Sequence, residues 1–350
     1  MANVNVFYFT GTGNTARAVK RVTDACAQAG HAVNVRQIIR GVPPSESAAD
    51  MTLIAYPTFS LSAPVMVKRF LRRLPPGQGK PAAVLSCTGG TLRRGVLGTG
   101  NPGQGLMQVE GLLRRRGYRV FLTGSIAYPE NWTQVFEPPD EKGAAAIIRE
   151  GDRVLDEFIS GFLAGKEERH RVGLLSRVWG RLLAAVYGLV GRRALGKMYI
   201  ADTNCSACGL CAKSCPAGVL VMRGKRPRWR LNCEDCCRCI NICPEKSIQF
   251  SAPLLFLHLT VQILFLFWWV PALVGLVMPL FPVTGIPGTL LAVLLFIVGV
   301  ILFSIGQIVV LDPLMYLLSG WKPIRRFLSL GWTRRYRRYT APGFKPLRPV

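Results

Sequence analysis

Alternation of apolar and polar positions divides the chain into three stretches. In the first, strand-like runs at Asn3–Thr10, His31–Gln37, Met51–Tyr56, Pro81–Cys87 and Tyr118–Ala127 alternate with helical runs at Asn14–Ala29, Ala63–Leu74, Gly103–Gly117 and Glu141–Leu163. Interleaved strands and helices predict an α/β doubly wound parallel sheet covered on both faces, with ligands at the carboxyl ends of its strands. A domain over 1–165 follows. The second stretch, 199–250, has only short apolar runs and is rich in cysteine. The third, Ser251 to Leu311, contains no Asp, Glu, Lys or Arg. Pro279, Pro282, Gly285, Pro287 and Gly288 break it into two halves. Each half, at about 25 residues, gives about 38 Å of helix, enough for a hydrocarbon core of about 30 Å. A two-helix transmembrane hairpin over 251–312 and a tail over 313–350 are therefore expected. Residues 166–198 join the first two stretches. There Leu174, Leu175, Val178, Leu182, Val186 and Leu189 recur near the helical period, with Arg177 and Arg181 on another face. This predicts a basic amphipathic linker helix, suited either to a membrane surface or to docking the flanking modules.

Charge orients the hairpin. The chain has 350 residues with 44 Lys plus Arg against 19 Asp plus Glu, a net +25, and half its residues are hydrophobic. That balance excludes a disordered chain and is unlike an ordinary soluble enzyme. No basic residue lies in the link between the apolar halves, whereas Lys322, Arg325, Arg326, Arg334, Arg335, Arg337, Arg338, Lys345 and Arg348 follow the second. The positive-inside rule puts that tail in the cytoplasm, and two spans return the N-terminal modules to the same side of the inner membrane. The opening strand Val4–Phe9, with no basic n-region before an apolar stretch, agrees with this. Trp321, Phe327, Trp332, Tyr336 and Tyr339 interleave with the basic residues. Beside a membrane exit this pattern fits anionic lipid headgroups, and no nucleic-acid partner is expected.

Nine of the eleven cysteines lie between Cys205 and Cys243. Cys205, Cys208, Cys211 and Cys215 follow C-x2-C-x2-C-x3-C before Pro216; Cys233, Cys236, Cys239 and Cys243 repeat it before Pro244. The doubled run matches the two-cluster bacterial ferredoxin pattern, in which the fourth cysteine of each run serves the other cluster. Cys205, Cys208, Cys211 and Cys243 are thus expected to bind one [4Fe–4S] cluster, and Cys233, Cys236, Cys239 and Cys215 the second, in a small α+β ferredoxin domain over 199–250. A zinc site favours separated pairs with histidine, and none is nearby. Cys237 breaks the spacing and is read as a spare thiol.

After the first strand comes Thr10-Gly11-Thr12-Gly13-Asn14-Thr15. No Gly-Lys-Ser/Thr follows, as in a Walker loop, and the third glycine of the dinucleotide fingerprint is missing. Two glycines, four side-chain donors and the amides of the next helix make a socket for one terminal phosphate without direct cation contact. This segment resembles the phosphate loop of flavodoxins, which implies a flavodoxin-like fold and FMN. The resemblance also implies flavin-ring contacts from Tyr56-Pro57-Thr58-Phe59 after the third strand and Cys87-Thr88-Gly89-Gly90 after the fourth, with Tyr56 and Phe59 stacking on the ring. Tyr128–Trp132 resembles a segment of flavodoxin–ferredoxin fusion proteins, implying a polar contact from Asn131. Over 1–165 and 199–250 the chain resembles those fusions, the EFR1-type ferredoxins, with an added hairpin.

FMN carries one or two electrons and each cluster one. The expected function is therefore electron transfer among a soluble low-potential carrier, two clusters, FMN and a membrane acceptor. A quinone is one candidate acceptor, with His258 near the first span. The basic charge favours acidic carriers such as ferredoxin. The other readings are an electron-feeding subunit of a separate membrane reductase and a flavin-free redox sensor or assembly factor. No catalytic residue is assigned, since no hydrolytic constellation is present.

Overall fold

The structure is a computed structural model that describes residues 1–44, 49–93, 96–277 and 286–346. The first unit comprises β1 (Asn3–Tyr8), α1 (Asn14–Gln28), β2 (Ala32–Gln37), β3 (Met51–Pro57), α2 (Val65–Leu71), β4 (Pro81–Arg93), β5 (Val96–Thr99), α3 (Gly105–Arg115), β6 (Arg119–Pro129) and α4 (Glu141–Leu163). Its sheet runs β2-β1-β3-β4, with β6 parallel to β4 on one side and β5 antiparallel to the far end of β4. The parallel order β2-β1-β3-β4-β6 is that of flavodoxin-like doubly wound sheets, whose switch point lies between β1 and β3.

Strand alternation builds a core on each face. Val4, Val6, Leu53, Ala55 and Leu85 bury against α1 and α4, while Phe7, Phe9, Ile54, Tyr56 and Val84 bury on the face covered by α2 and α3. Helices α1 and α4 are joined by ion pairs from Arg17 to Asp152 at 2.5 Å and from Arg21 to Asp156 at 2.5 Å. Asp140 caps α4 by accepting from Gly143 N at 2.7 Å.

The fourth strand does not stop at Cys87 as expected, so Cys87–Gly90 lie within it rather than after it. β4 continues to Arg93 because Thr88–Gly90 pair with Ala127–Pro129 of β6 and Gly90–Arg93 pair with β5. Gly89 sits within this strand and not in a turn, beside the mobile end of the Glu130 side chain.

Beyond α4 the chain first lies along β6, with Thr123 N donating to Glu168 O at 2.8 Å and Glu168 N to Phe121 O at 3.0 Å. Helix α5 (Leu174–Val186), a π turn at Tyr187–Gly191 and α6 (Arg192–Lys197) then form one rod. Gly180 and Ala184 are buried, and Gln104 of the first unit lies 3.3 Å from where a Gly180 Cβ would be. The opposite side leaves Leu174, Leu175, Val178, Trp179, Leu182 and Leu183 exposed. The cysteine-rich unit has β7 (Tyr199–Ala201), α7 (Leu210–Lys213), β8 (Leu220–Arg223), β9 (Arg226–Trp229), α8 (Arg238–Ile242) and β10 (Ile248–Phe250). β7 pairs antiparallel with β10, and β8 with β9. Tyr199, Leu220, Trp229, Ile240 and Ile248 pack among the cysteines.

Two long helices follow, α9 (Ala252–Val277) and α10 (Ile286–Leu318). Phe265 stacks on Phe303 at 3.8 Å, Trp269 packs where Gly299 leaves room, and Ser304 donates to Gln262 at 2.9 Å. Pro279, Pro282 and Gly285 of the expected break lie outside the described residues, as does Arg348; Pro287 and Gly288 belong to the first turn of α10. The chain ends through α11 (Lys322–Leu328) and a 3-10 turn at Trp332–Arg334. Three helices, not two, are long and apolar enough to cross a membrane: Leu174–Lys197, Ala252–Leu276 and Gly288–Leu318. The first was expected to be an amphipathic linker. It carries five basic residues and a mean hydropathy of 1.2, against 2.0 and 2.8 for the other two, yet it is still long and apolar enough to cross.

Candidate functional site

The loop between β1 and α1 is held from several directions. Gly13, with φ 107°, takes the left-handed conformation that starts α1, and its N donates to Thr10 Oγ1 at 3.1 Å. Thr10, Thr12, Asn14 and Thr15 are all buried. Asn14 Nδ2 donates to Pro129 O at 2.9 Å, and Asn14 Oδ1 accepts from Tyr339 Oη at 2.9 Å. The Asn131 side-chain amide donates to Thr12 Oγ1. The loop is therefore tied to β6 and to the C-terminal tail, and the Asn14 and Asn131 side chains serve those ties.

Beside it, at the carboxyl ends of the strands, opens a cavity of about 210 Å³. Of the residues expected to contact a flavin, Asn14, Pro57, Thr58, Phe59, Cys87, Thr88, Gly89 and Asn131 line it. Thr10, Gly11, Thr12, Gly13 and Thr15 do not, since they form the neighbouring loop. Tyr56 is a correction. As a strand residue on the face of Ile54 it points into the core under α2 and α3, where it is fully buried, and it cannot stack on a ring in the cavity. Gly90 is a second correction: a Cβ there would meet Ile147 of α4 at 2.8 Å, away from the cavity.

The rest of the wall was missed. Glu130 and Trp132 come from the segment that carries Asn131, and Tyr187, Asp235, Cys236 and Cys237 come from beyond the first unit. Tyr187 Oη donates to Asp235 Oδ2 at 3.2 Å. Burial pushes the Asp235 carboxyl up to about 8 and the Cys87 thiol up to about 12. Cys237, expected to be a spare thiol, is buried and accepts from Tyr199 Oη at 3.4 Å. In the sequence Glu130 and Trp132 are marked by the Tyr128–Trp132 segment and Asp235, Cys236 and Cys237 by the cysteine run, while nothing marks Tyr187.

A planar conjugated ligand fits this enclosure. Phe59 and Trp132 supply aromatic wall, Gly89 exposes backbone, and the Thr58 hydroxyl is buried without a partner. The cysteines also converge. Cys211 has Cys205, Cys243 and Cys208 as its charge neighbours, while Cys239 has Cys233, Cys236 and Cys215. Among the described residues no group of three or more His, Cys, Asp or Glu side chains closes to the distances of a single metal ion.

A smaller cavity lies where the cysteine-rich unit meets α9 and α10, lined by Lys197, Trp229, His258, Asp312 and Tyr316 among others. Lys197 Nζ pairs with Asp312 at 2.8 Å, and Arg228 with the same carboxylate at 3.3 Å. The ring of Tyr316 lies 4.6 Å from the Arg226 guanidinium, and its hydroxyl is buried without a partner.

No family model matches the chain. The ferredoxin-type protein NapH of Haemophilus influenzae is 31% identical over 77 residues, covering 20% of this chain and 27% of that protein. The match thus spans about a quarter of the curated relative. A flavodoxin from the domain Archaea is similar at 16% identity and a TM-score of 0.29, over 45% of this chain and 98% of that one. A flavodoxin of Streptococcus pneumonia aligns at 16% identity and a TM-score of 0.32, over 47% and 99% of the two chains. Rubredoxin oxygen:oxidoreductase of Desulfovibrio gigas aligns at 13% identity and a TM-score of 0.29, over 46% and 37%.

Proposed function

We propose that this chain is a membrane-anchored iron–sulfur flavoprotein passing electrons among a soluble low-potential carrier, two [4Fe–4S] clusters, FMN and a membrane acceptor. One observation carries the reading. The cavity at the carboxyl ends of a flavodoxin-type sheet shares its wall with Cys236, a ligand of the proposed second cluster. When bound, FMN supplies two-electron and one-electron chemistry, and each cubane supplies one-electron transfer.

The protein's own residues divide the work. Phe59 and Trp132 flank the ring site, Gly89 and Thr58 offer polar contact, and the 10–15 loop receives the phosphate. Cys205, Cys208, Cys211 and Cys243 hold one cluster; Cys233, Cys236, Cys239 and Cys215 hold the other, the one nearer the flavin. Asp235, Tyr187 and the rod α5–α6 close the cavity against water.

Helices α9 and α10 form the anchor, with both ends in the cytoplasm because the basic residues follow α10. The Leu174–Lys197 helix lies along the membrane surface instead of crossing. Gly180 and Ala184 dock on the flavin unit, and Arg192 is buried, donating to Cys233 O at 2.6 Å, so that face cannot meet lipid. The cavity at His258 and Tyr316 sits between the cysteine-rich unit and the anchor and suits the headgroup of a quinone acceptor.

Anaerobic purification in detergent, with counts of iron, sulfide and flavin, tests the reading. About eight iron and one FMN per chain are expected. Zinc in place of iron, or a colourless preparation, overturns it. Reoxidation of the reduced, isolated protein by a quinone assigns the acceptor to this chain. Failure of that step points to a separate membrane reductase as the acceptor.

A further inference from the structure

The phosphate loop has a partner from the cysteine-rich unit. Arg238 Nε donates to Gly11 O at 2.7 Å and Nη2 to Thr10 O at 2.7 Å, while Nη1 donates to Ser214 O at 2.8 Å. The side chain is buried, with 2% of the residue exposed. Next along the loop, Ala341 N of the C-terminal tail donates to Thr12 O at 2.8 Å. Three successive carbonyls are thereby turned toward Arg238 and the tail.

In a trans peptide the C=O and N–H point opposite ways. The amides of Gly11 and Thr12 therefore face the other side of the loop, while that of Gly13 donates to Thr10 Oγ1. Each of the first two peptide dipoles then has its negative end on the guanidinium and its positive end toward the ligand side. Among the described residues no carboxylate forms an ion pair with Arg238. Its near neighbours are Cys236 and Cys215, thiolates when they hold the proposed second cluster, and the ring of Phe344, 5.4 Å from the guanidinium. An arginine stays charged even when buried, and its field is little screened there.

We propose that Arg238 is a positioning residue that makes the loop selective for a dianionic phosphate monoester, by fixing a cation behind the peptides whose amides receive it. The socket lacks direct cation contact with its ligand, but a cation stands one peptide layer behind. The inference rests on the flavin reading and names its chemical preference, FMN over riboflavin. It also makes the phosphate site a joint product of two units separated by more than 200 residues.

The test uses the full-length chain, purified anaerobically in detergent and stripped of flavin. FMN and riboflavin are titrated separately by quenching of their fluorescence, and iron is counted in each preparation. The wild type should prefer FMN, and inorganic phosphate should compete with FMN but not with riboflavin. Arg238→Gln should keep its iron and its riboflavin affinity while FMN affinity falls by about tenfold or more, as expected for a charge-assisted contact. If Arg238→Gln loses iron, the ratio is read on Arg238→Lys, whose ammonium lacks the fork that spans both carbonyls. A fall in the FMN-to-riboflavin ratio is again expected. An unchanged ratio, or an equal loss of both flavins, overturns the role of Arg238 and leaves the flavin reading intact. A wild type that binds neither flavin overturns both.

Discussion

Gly11 and Gly111 show how one residue type plays different parts. A Cβ on Gly11 would stand 2.3 Å from Cys236 O, whereas one on Gly111, within α3, meets nothing within 4 Å. Gly11 has an ordinary backbone conformation, so the cost of Gly11→Ala is steric and falls on the joint between the first and cysteine-rich units. It should destabilise the protein by about 1–3 kcal/mol and loosen flavin, read by thermal unfolding and by flavin retention on dialysis. Gly111→Ala should raise the melting temperature slightly, since alanine gains about 0.5–1 kcal/mol in a helix interior. Equal effects of the two would refute docking at Gly11. Sequence alone does not show that Gly11 excludes a side chain, because the atom that does so lies 225 residues away. Tyr56 teaches the converse. Its position after the third strand suggested a ring contact, but strand alternation sends it into the core.

At the scale of elements, Asp152 holds α1, α4 and β6 together. It accepts from Arg17 at 2.5 Å and from Tyr128 Oη at 2.6 Å. Burial acts to raise its pKa, but the hydrogen bonds from Arg17 and Tyr128 and the charges of Arg17 and Arg21 prevail and hold it below the ordinary value. A depressed folded pKa stabilises above the unfolded value of about 3.9 and fades as pH falls through the folded value. Asp152→Asn should therefore unfold more easily than the wild type at neutral pH, by about 1 kcal/mol. That gap should close below about pH 4, and denaturant titrations at pH 7 and pH 3 measure it.

Asp312 plays the matching part for the anchor. It is the first charge after the apolar run, and it pairs with Lys197, whose side chain is 7% exposed. Asp312→Ala leaves that ammonium buried without its anion and should cost about 3–5 kcal/mol, read as faster proteolysis between the cysteine-rich unit and α10 in detergent. Lys197→Met combined with Asp312→Leu should recover much of the loss. If the double variant is no better than the single, the pair is not what joins the units.

Across the whole molecule, charge and hydropathy divide along the chain. The net charge of +25 should speed electron uptake from an acidic carrier. The rate should fall by about tenfold or more as ionic strength rises from low to high, and a salt-independent rate would refute electrostatic steering. A fluorescent-protein fusion at the C-terminus should fluoresce from the cytoplasm if α9 and α10 both span. A dark fusion that is exported would mean that Leu174–Lys197 crosses as well, since three spans reverse the tail.

The doubled C-x2-C-x2-C-x3-C run, the Thr10–Thr15 loop, the strand–helix alternation and the uncharged stretch Ser251–Leu311 are set by local order along the chain. Spacing, period and hydropathy are properties of neighbouring residues, so the sequence determined the doubled cysteine spacing, the doubly wound sheet and the presence of helices apolar enough to cross a membrane. It did not reveal that β4 runs on to Arg93, because that extension depends on pairing with β5 and β6. Nor did it reveal that Arg238, Ala341 and Phe344 gather behind the loop, or that Asp235 and Tyr187 complete the cavity. Those groups converge only when separate units pack. Burial, not proximity in sequence, selects which of many arginines and tyrosines become partners, and only the tertiary structure supplies that selection.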